Sequence, residues 1–586
     1  EELETSNTAI WSNLASNVTR IEELESAIGF IYGPIVHQQE LLDPNANAGD
    51  YFGISIDISS DGMYAIVGAY GDDNGGNRAG AAHIFVRSGS GSNPWVYQDE
   101  LLDPNASADD FLGYSVAISD DGIYAVVGAY YSNSGAGVVH IFTRNTTTNV
   151  WTRQQEIVGS NTSSSDYFGE SVAISGDGTL VIVGAKNRDN GTEYNAGAAY
   201  VFVRSGSGSN PWTQEQQLTE PNTAANDNFG VSVAISSDGM YAIVGATGDD
   251  AGQVSPYTSV TNAGAAHIFV RSGSGSAMWV HQQEIYKATQ ARYDSFGKSV
   301  GISSDGMYVI VGIPGDDAGG SRAGAAQVFL RSGSSWSMQA ELVDPNASGD
   351  DNFGESVAIS DDGLHAVVGA YGDDVPSKSD TGAAHTFTRT ATTWSHANEL
   401  LDPNASASDN FGRSVSISNG GIYVAIGAIT DQGGSGIGEA HIFNVPITLD
   451  SERISNLETN GIISNSSSIT SISRGDLIYA SADSTLQTLT LSATTGHVLK
   501  VSAAGIPEWA AETGGSGSGT SPGDVTRITN LETSNTAIWS NLASNVVRIE
   551  ELETSNTAIW SNLASNVTRI EELETSNTAI WSNLAS

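Results

Sequence analysis

Two kinds of side chain in this sequence are placed where they could do chemistry. Adjacent carboxylates recur in acidic loops at Asp72-Asp73, Asp249-Asp250, Asp316-Asp317 and Asp373-Asp374. Carboxylates next to loop carbonyls are the oxygen ligands that hard cations take, so these eight residues are the candidate ligands for calcium. Such pairs also serve as solvated turn residues and as solubility charge. Histidine recurs at one repeated position, as His83, His140, His267, His385 and His441. An active site would need those rings to converge, whereas equivalent positions of successive repeats lie far apart. They read as tolerated strand residues. No Ser-His-Asp order, HExxH motif or phosphate-binding Gly loop occurs, so no enzymatic activity is expected. With no cysteine in 586 residues, disulfides, thiolate metal sites and cysteine nucleophiles are excluded.

The elements that must position these residues come in repeats. Take Phe52-Gly53 as an anchor. Equivalent pairs follow at Leu112-Gly113, Phe168-Gly169, Phe229-Gly230, Phe296-Gly297, Phe353-Gly354 and Phe411-Gly412. After each anchor runs an alternating strand and then a two-residue turn. The turn is Asp-Gly six times, from Asp61-Gly62 to Asp362-Gly363, and Gly420-Gly421 in the last repeat. Asp-Gly between alternating runs is a hairpin signal. A second strand of the YAIVGA type, a third of the GAAHIFVR type and a fourth opening on Trp complete each unit. Four short strands repeated seven times predict a seven-bladed β-propeller over 31–446. The last repeat lacks its fourth strand. The segment Val36-His37-Gln38-Gln39-Glu40 is identical to Val280-His281-Gln282-Gln283-Glu284, which sits in a fourth strand. Residues 35–42 are therefore expected to close the ring.

These residues carry a resemblance. The Phe-Gly anchor and the Val-Gly-Ala turn resemble FG-GAP repeats, the blades of integrin α-chain propellers, and still more closely microbial repeats of the same kind. The resemblance implies a propeller fold. Calcium-binding integrin blades have a longer Asp-rich loop between their first two strands. Only Asp-Gly stands there in this chain, so the resemblance carries no calcium ligands over to that position.

A second, shorter repeat flanks the first. LETSNTAIWSNLASNVTRIEE runs from Leu531 to Glu551, recurs with a 21-residue period, and also opens the chain. Its 4-3 spacing over three heptads per repeat predicts a coiled coil at 1–28 and 525–586. Every third core layer is asparagine: Asn7, Asn17, Asn535, Asn545, Asn556, Asn566 and Asn577. Buried Asn layers fix register and must pair across the bundle, or with water or an ion on the axis. The pattern resembles the trimeric stalks of viral fibres and bacterial adhesins, which implies a homotrimer; spacing alone also permits a dimer or tetramer. Residues 451–473 echo the heptads, and 475–512 resemble a small β-module of phage and virion fibres. Residues 513–524 read as a Gly/Ser linker. The chain opens in mid-repeat, so a longer protein is expected.

The expected architecture is thus mainly β, with α-helical stalk segments. The formal net charge of −44 disfavours nucleic acid and anionic membranes as partners, and no apolar run is long enough to insert in a membrane. Nine Asn-X-Ser/Thr sequons point outside the cell; Asn105, Asn346 and Asn404, in Asp-Pro-Asn-Ala-Ser turns, are the candidate glycan acceptors. The expected function is a fibre protein of a virion surface, whose stalk displays propellers to a host receptor or glycan. The alternatives are a cellular filament, adhesin or flagellar-hair protein, and a structural decoration without a ligand. Beyond calcium at the acidic pairs no cofactor is expected.

Overall fold

A computed structural model describes residues 35–87, 94–205, 211–250, 262–272, 278–374, 378–430 and 436–444, together with four short strands further on. The predicted stalk segments 1–28, 451–473 and 525–586, their Asn layers and the 513–524 linker lie outside the described residues.

Seven four-stranded antiparallel sheets form the blades of a propeller. Blades 1 to 6 are each built from consecutive strands, spanning Phe52–Leu101, Leu112–Ile157, Ser171–Leu218, Phe229–Ile285, Val300–Leu342 and Ser356–Leu400. Blade 7 takes three strands from Phe411–Asn444 and its outermost one, Val36–Leu41, from the other end of the chain. The two pair antiparallel, with Val36 opposite Asn444 and Leu41 opposite Ala440. Blade 7 thereby gains the same four strands as the other six, and Glu439–Asn444 is paired on both sides.

The reason for the apolar second strand, Tyr64–Ala69 in blade 1, is that both of its faces are covered. Ala65, Val67 and Ala69 pack toward blade 7, with Tyr423, Ala425 and Ile442. Ile66 points the other way, into the cluster with Leu112, Val116 and Val127 of blade 2. Period-two alternation thus feeds two inter-blade cores from one strand. The same arrangement recurs at each of seven inter-blade clusters.

Side-chain hydrogen bonds also tie neighbouring blades. On the innermost strands Ser55, Ser115, Ser171, Ser232, Ser299, Ser356 and Ser414 each donate to the carbonyl of the next blade's anchor glycine. At the rim, the repeated Gln pair has a purpose. Gln39 bonds both backbone groups of Trp95, at 2.8 and 2.9 Å, while Gln38 accepts from the Trp95 indole at 3.2 Å. Equivalent pairs hold Trp212 and Trp336.

Among the described residues the only helical turns are Ser132–Gly135 and Asn419–Gly421, and no helix is long and apolar enough to cross a membrane. In the expected β-module, Leu477–Ala480 pairs with Leu486–Leu489, and His497–Val501 forms a two-stranded sheet with Pro507–Ala511.

Candidate metal centres and an aromatic face

The two residues of each acidic pair do different things. The second one faces solvent and closes its own loop. Asp73 accepts the Arg78 amide at 2.7 Å, Asp250 that of Asn262 at 3.0 Å, Asp317 that of Arg322 at 2.9 Å and Asp374 that of Asp380 at 2.7 Å. The first residue turns inward. Asp72 spends Oδ1 on the Asn74 amide, at 2.6 Å, and aims Oδ2 at His83, 3.8 Å away. The pairs are therefore not joint chelates.

What the inward carboxylate meets is the recurring histidine. His83 lies on the third strand of blade 1, wholly buried, with the anchor ring of Phe52 edge-on at 5.3 Å. A second carboxylate arrives from the Asp-Pro-Asn turn that leads into the blade. Asp43 accepts the Asn45 amide on Oδ1 at 2.8 Å and stands 3.8 Å from His83 Nε2 through Oδ2. The five histidines do not converge on one another, but each collects its own acids: Asp43 and Asp72 at His83, Asp103 and Glu156 at His140, Glu220 and Asp249 at His267, Asp344 and Asp373 at His385, Asp402 and Glu439 at His441.

Sequence reasoning placed the strands and loops and missed these clusters. Of the predicted pairs, Asp72, Asp249 and Asp373 enter them, while Asp316 enters a different arrangement. There its carboxylate is paired with the Lys287 ammonium, and Gln327 stands in the histidine position, donating to Glu341 at 2.7 Å. In blade 3 the three positions hold Gly159, Arg188 and Tyr200. The Tyr200 hydroxyl donates to Asn161 at 2.7 Å, and a Cβ on Gly159 would stand 3.2 Å from the Tyr200 ring. A within-chain comparison could have found the site: where histidine is absent, one flanking acidic position has become basic.

Burial controls the electrostatics of the clusters. It pushes the Asp72 carboxyl up to about 7, helped by Glu100, Asp43 and Asp50, and the Glu220 carboxyl up to about 8. Burial also pulls His83 below its ordinary value. At His267 burial acts in the same direction, but hydrogen bonding and charge from Asp249 and Glu220 outweigh it and raise the ring to about 9. A buried carboxylate pair must either take up protons or have a cation beside it.

On the end of the propeller that carries the acidic loops, aromatic rings form a stripe across blades 1 to 3. Tyr51 stacks on Tyr70, with centroids 5.0 Å apart and planes at 3°. Tyr70 meets Phe111 edge-on at 5.5 Å, Phe111 stacks on Tyr130 at 5.7 Å, and Tyr130 meets Tyr167 at 5.3 Å. In blades 4 to 7 the position of Tyr51 is taken by Asn228, Ser295, Asn352 and Asn410, and ion pairs stand nearby around the ring, with Lys186 paired to Glu170, and Lys298 and Arg413 to Glu355. The candidate acceptors Asn105, Asn346 and Asn404 are exposed in turns of this end.

No curated protein matches the chain. The FG-GAP repeat family matches it over 35–85, 95–142, 151–202, 212–269, 279–329, 336–387 and 394–443. Each segment runs from the fourth strand of one blade to the third strand of the next, the same offset that joins Val36–Leu41 to blade 7. With seven matches over more than half its length, this chain belongs to the FG-GAP repeat family.

Proposed function

We propose that this chain is a display protein of a virion-surface fibre, in which a coiled-coil homotrimer carries propellers whose aromatic face binds a host receptor through its glycans. The observation that supports binding is the stripe from Tyr51 to Tyr167. The five rings are half-buried; an aromatic cluster that a folded domain leaves partly open marks an interaction site, and flat rings with a hydroxyl at the edge suit the C–H faces and hydroxyls of sugars. The ion pairs on the remainder of the mouth supply polar groups that would fix orientation. The oligomeric stalk rests on the heptads with their Asn layers. The reading has no catalytic step, nucleic acid or membrane insertion in it.

The test is binding of the purified chain to a glycan array and to host cells, beside the double variant Tyr70→Ser/Tyr130→Ser. Retained sugars that the variant loses support the reading. A wild-type chain that binds no glycan and no cell, though its propeller is folded, would leave a structural decoration. Light scattering of the full chain should return three times its mass.

A further inference from the structure

We propose that the propeller holds four buried sites for a first-row divalent cation of the zinc class, one in each of blades 1, 4, 6 and 7, each formed by the third-strand histidine and two carboxylates. The sites are independent of whatever the aromatic face binds.

Blade 1 states the problem most plainly. His83, Asp43 and Asp72 are buried together, and both ring nitrogens of His83 and Oδ2 of Asp43 have no hydrogen-bond partner. The separations of 3.8 Å are too long for hydrogen bonds. They are near the ~3.3 Å edge of a tetrahedron with metal–ligand bonds of about 2.0–2.1 Å. In blade 4, His267 Nε2 lies 3.1 Å from Asp249 and 3.3 Å from Glu220. In blade 6, His385 Nε2 lies 3.6 Å from Asp373, and Asp344 stands 3.8 Å from Nδ1 of the same ring. In blade 7, His441 Nε2 lies 2.7 Å from Glu439 and 3.9 Å from Asp402.

Three of these histidines are oriented by another. His281, His396 and His37 bring Nε2 to 3.2, 3.3 and 3.2 Å from Nδ1 of His267, His385 and His441. With the Nδ1 proton donated to the outer ring, Nε2 is the atom that faces the carboxylates and would take a metal in place of its own proton. Metal-bound imidazoles are held in this way by a partner on the second nitrogen.

The other blades act as internal controls. Blade 5 replaces the first acid by Lys287 and the histidine by Gln327, and the lysine neutralises Asp316. Blade 3 has Arg188 and Tyr200 and neither acid. In blade 2, Arg153 reaches Asp103 at 3.5 Å, Glu156 at 3.3 Å and His140 at 3.3 Å, so its charge is already supplied. In blades 1, 4 and 6 no lysine or arginine among the described residues is paired with the two carboxylates, and blade 7 sets Asp402 and Glu439 about His441 in the same way. A proton on the ring balances one of the two carboxylates, whereas a dication balances both. The imidazole selects a zinc-class ion over calcium, which takes oxygen ligands.

The experiment uses the full chain, stripped with chelator and desalted, then loaded with zinc chloride, desalted again and measured for bound metal by mass spectrometry. Four zinc ions per chain are expected, and a higher melting temperature than in chelator. His83→Gln, His267→Gln, His385→Gln and His441→Gln should each bind three, and His140→Gln still four. If a glutamine variant fails to fold, Asp43→Lys/His83→Gln, which copies blade 5, should fold and bind three. Folded protein with less than one zinc per chain, or content unchanged in the histidine variants, overturns the proposal. So does calcium filling the same sites against zinc. A melting temperature that follows pH but not zinc would identify protonated histidine as the counter-charge and equally overturn it.

Discussion

The Ser414 hydroxyl donates to the Gly53 carbonyl at 2.8 Å, joining residues 361 positions apart. This bond completes the ring of seven serine-to-glycine links from the innermost strand of blade 7, three strands in from Val36–Leu41, which completes the same blade at its outer edge. Removing one neutral hydrogen bond costs about 1 kcal/mol, so Ser414→Ala should lower the melting temperature by only a few degrees. Deleting 31–42 should do far more, because Leu41 leaves the core and the strand Glu439–Asn444 loses its partner. Differential scanning calorimetry of both variants beside a deletion of 1–24 checks this, and a closed ring requires that only the last resemble wild type.

Glycines should divide sharply by what a methyl group would meet. A Cβ on Gly68 would stand 1.9 Å from the Gly113 carbonyl oxygen of the next blade, which is backbone and cannot turn aside. Gly68→Ala should cost several kcal/mol or abolish folding. Gly191, with φ +66°, has open space around it, so Gly191→Ala should cost about 1 kcal/mol from backbone strain alone. Denaturant titration of the two variants gives the comparison.

Asp57 predicts a pH dependence of unusual sign. Its carboxylate accepts from the Ile118 amide of blade 2, at 2.9 Å, and from the Ser416 hydroxyl of blade 7, at 2.8 Å. Burial outweighs these bonds and pushes its pKa up to about 6. The folded state then keeps a proton that the unfolded state gives up near 4. Its contribution is fully present below the unfolded pKa and is lost as pH rises through 6. Stability of wild type relative to Asp57→Asn should therefore increase by roughly 1–2 kcal/mol between pH 7.5 and pH 4.5. Urea midpoints at both pH values measure it; a difference that shrinks on acidification would contradict the assignment.

Glycan occupancy should separate turn sites from stalk sites. Asn105, Asn346 and Asn404 are exposed, while the neighbouring Asp103, Asp344 and Asp402 hold each turn through the asparagine amide. Material from a glycosylating host should carry sugar there. On the proposed heptad register the sequons at Asn17 and Asn566 would fall at core positions and should be bare. Glycopeptide mass spectrometry reads all five at once, and high occupancy at Asn566 would break the proposed heptad register.

The blades were legible in the sequence because their signals are local. An Asp-Gly turn between alternating runs needs only a few neighbouring residues to be recognised, and so does a Phe-Gly anchor. The missing fourth strand was legible because Val36–Glu40 repeats a strand word for word. The clusters were not. Asp43, Asp72 and His83 come from two loops and a strand, and only the blade's three-dimensional path brings them together. Asp72 and Asp73 look equivalent in sequence, yet a one-residue step sends one inward to His83 and the other out to the Arg78 amide.

The antiparallel pairing of Val36 with Asn444 also decides how the propeller would respond to force. The chain enters and leaves at the same end of one strand pair. A pull on both ends would therefore load the ladder one hydrogen bond at a time, from Val36 toward Leu41, rather than all bonds together in shear. Blade 7 would peel open at low tension while the other six stayed folded, and the released strand could zip back once the load was removed. Placed in line with a filament, such a module would act as a shock absorber whose yield point is set by six residues.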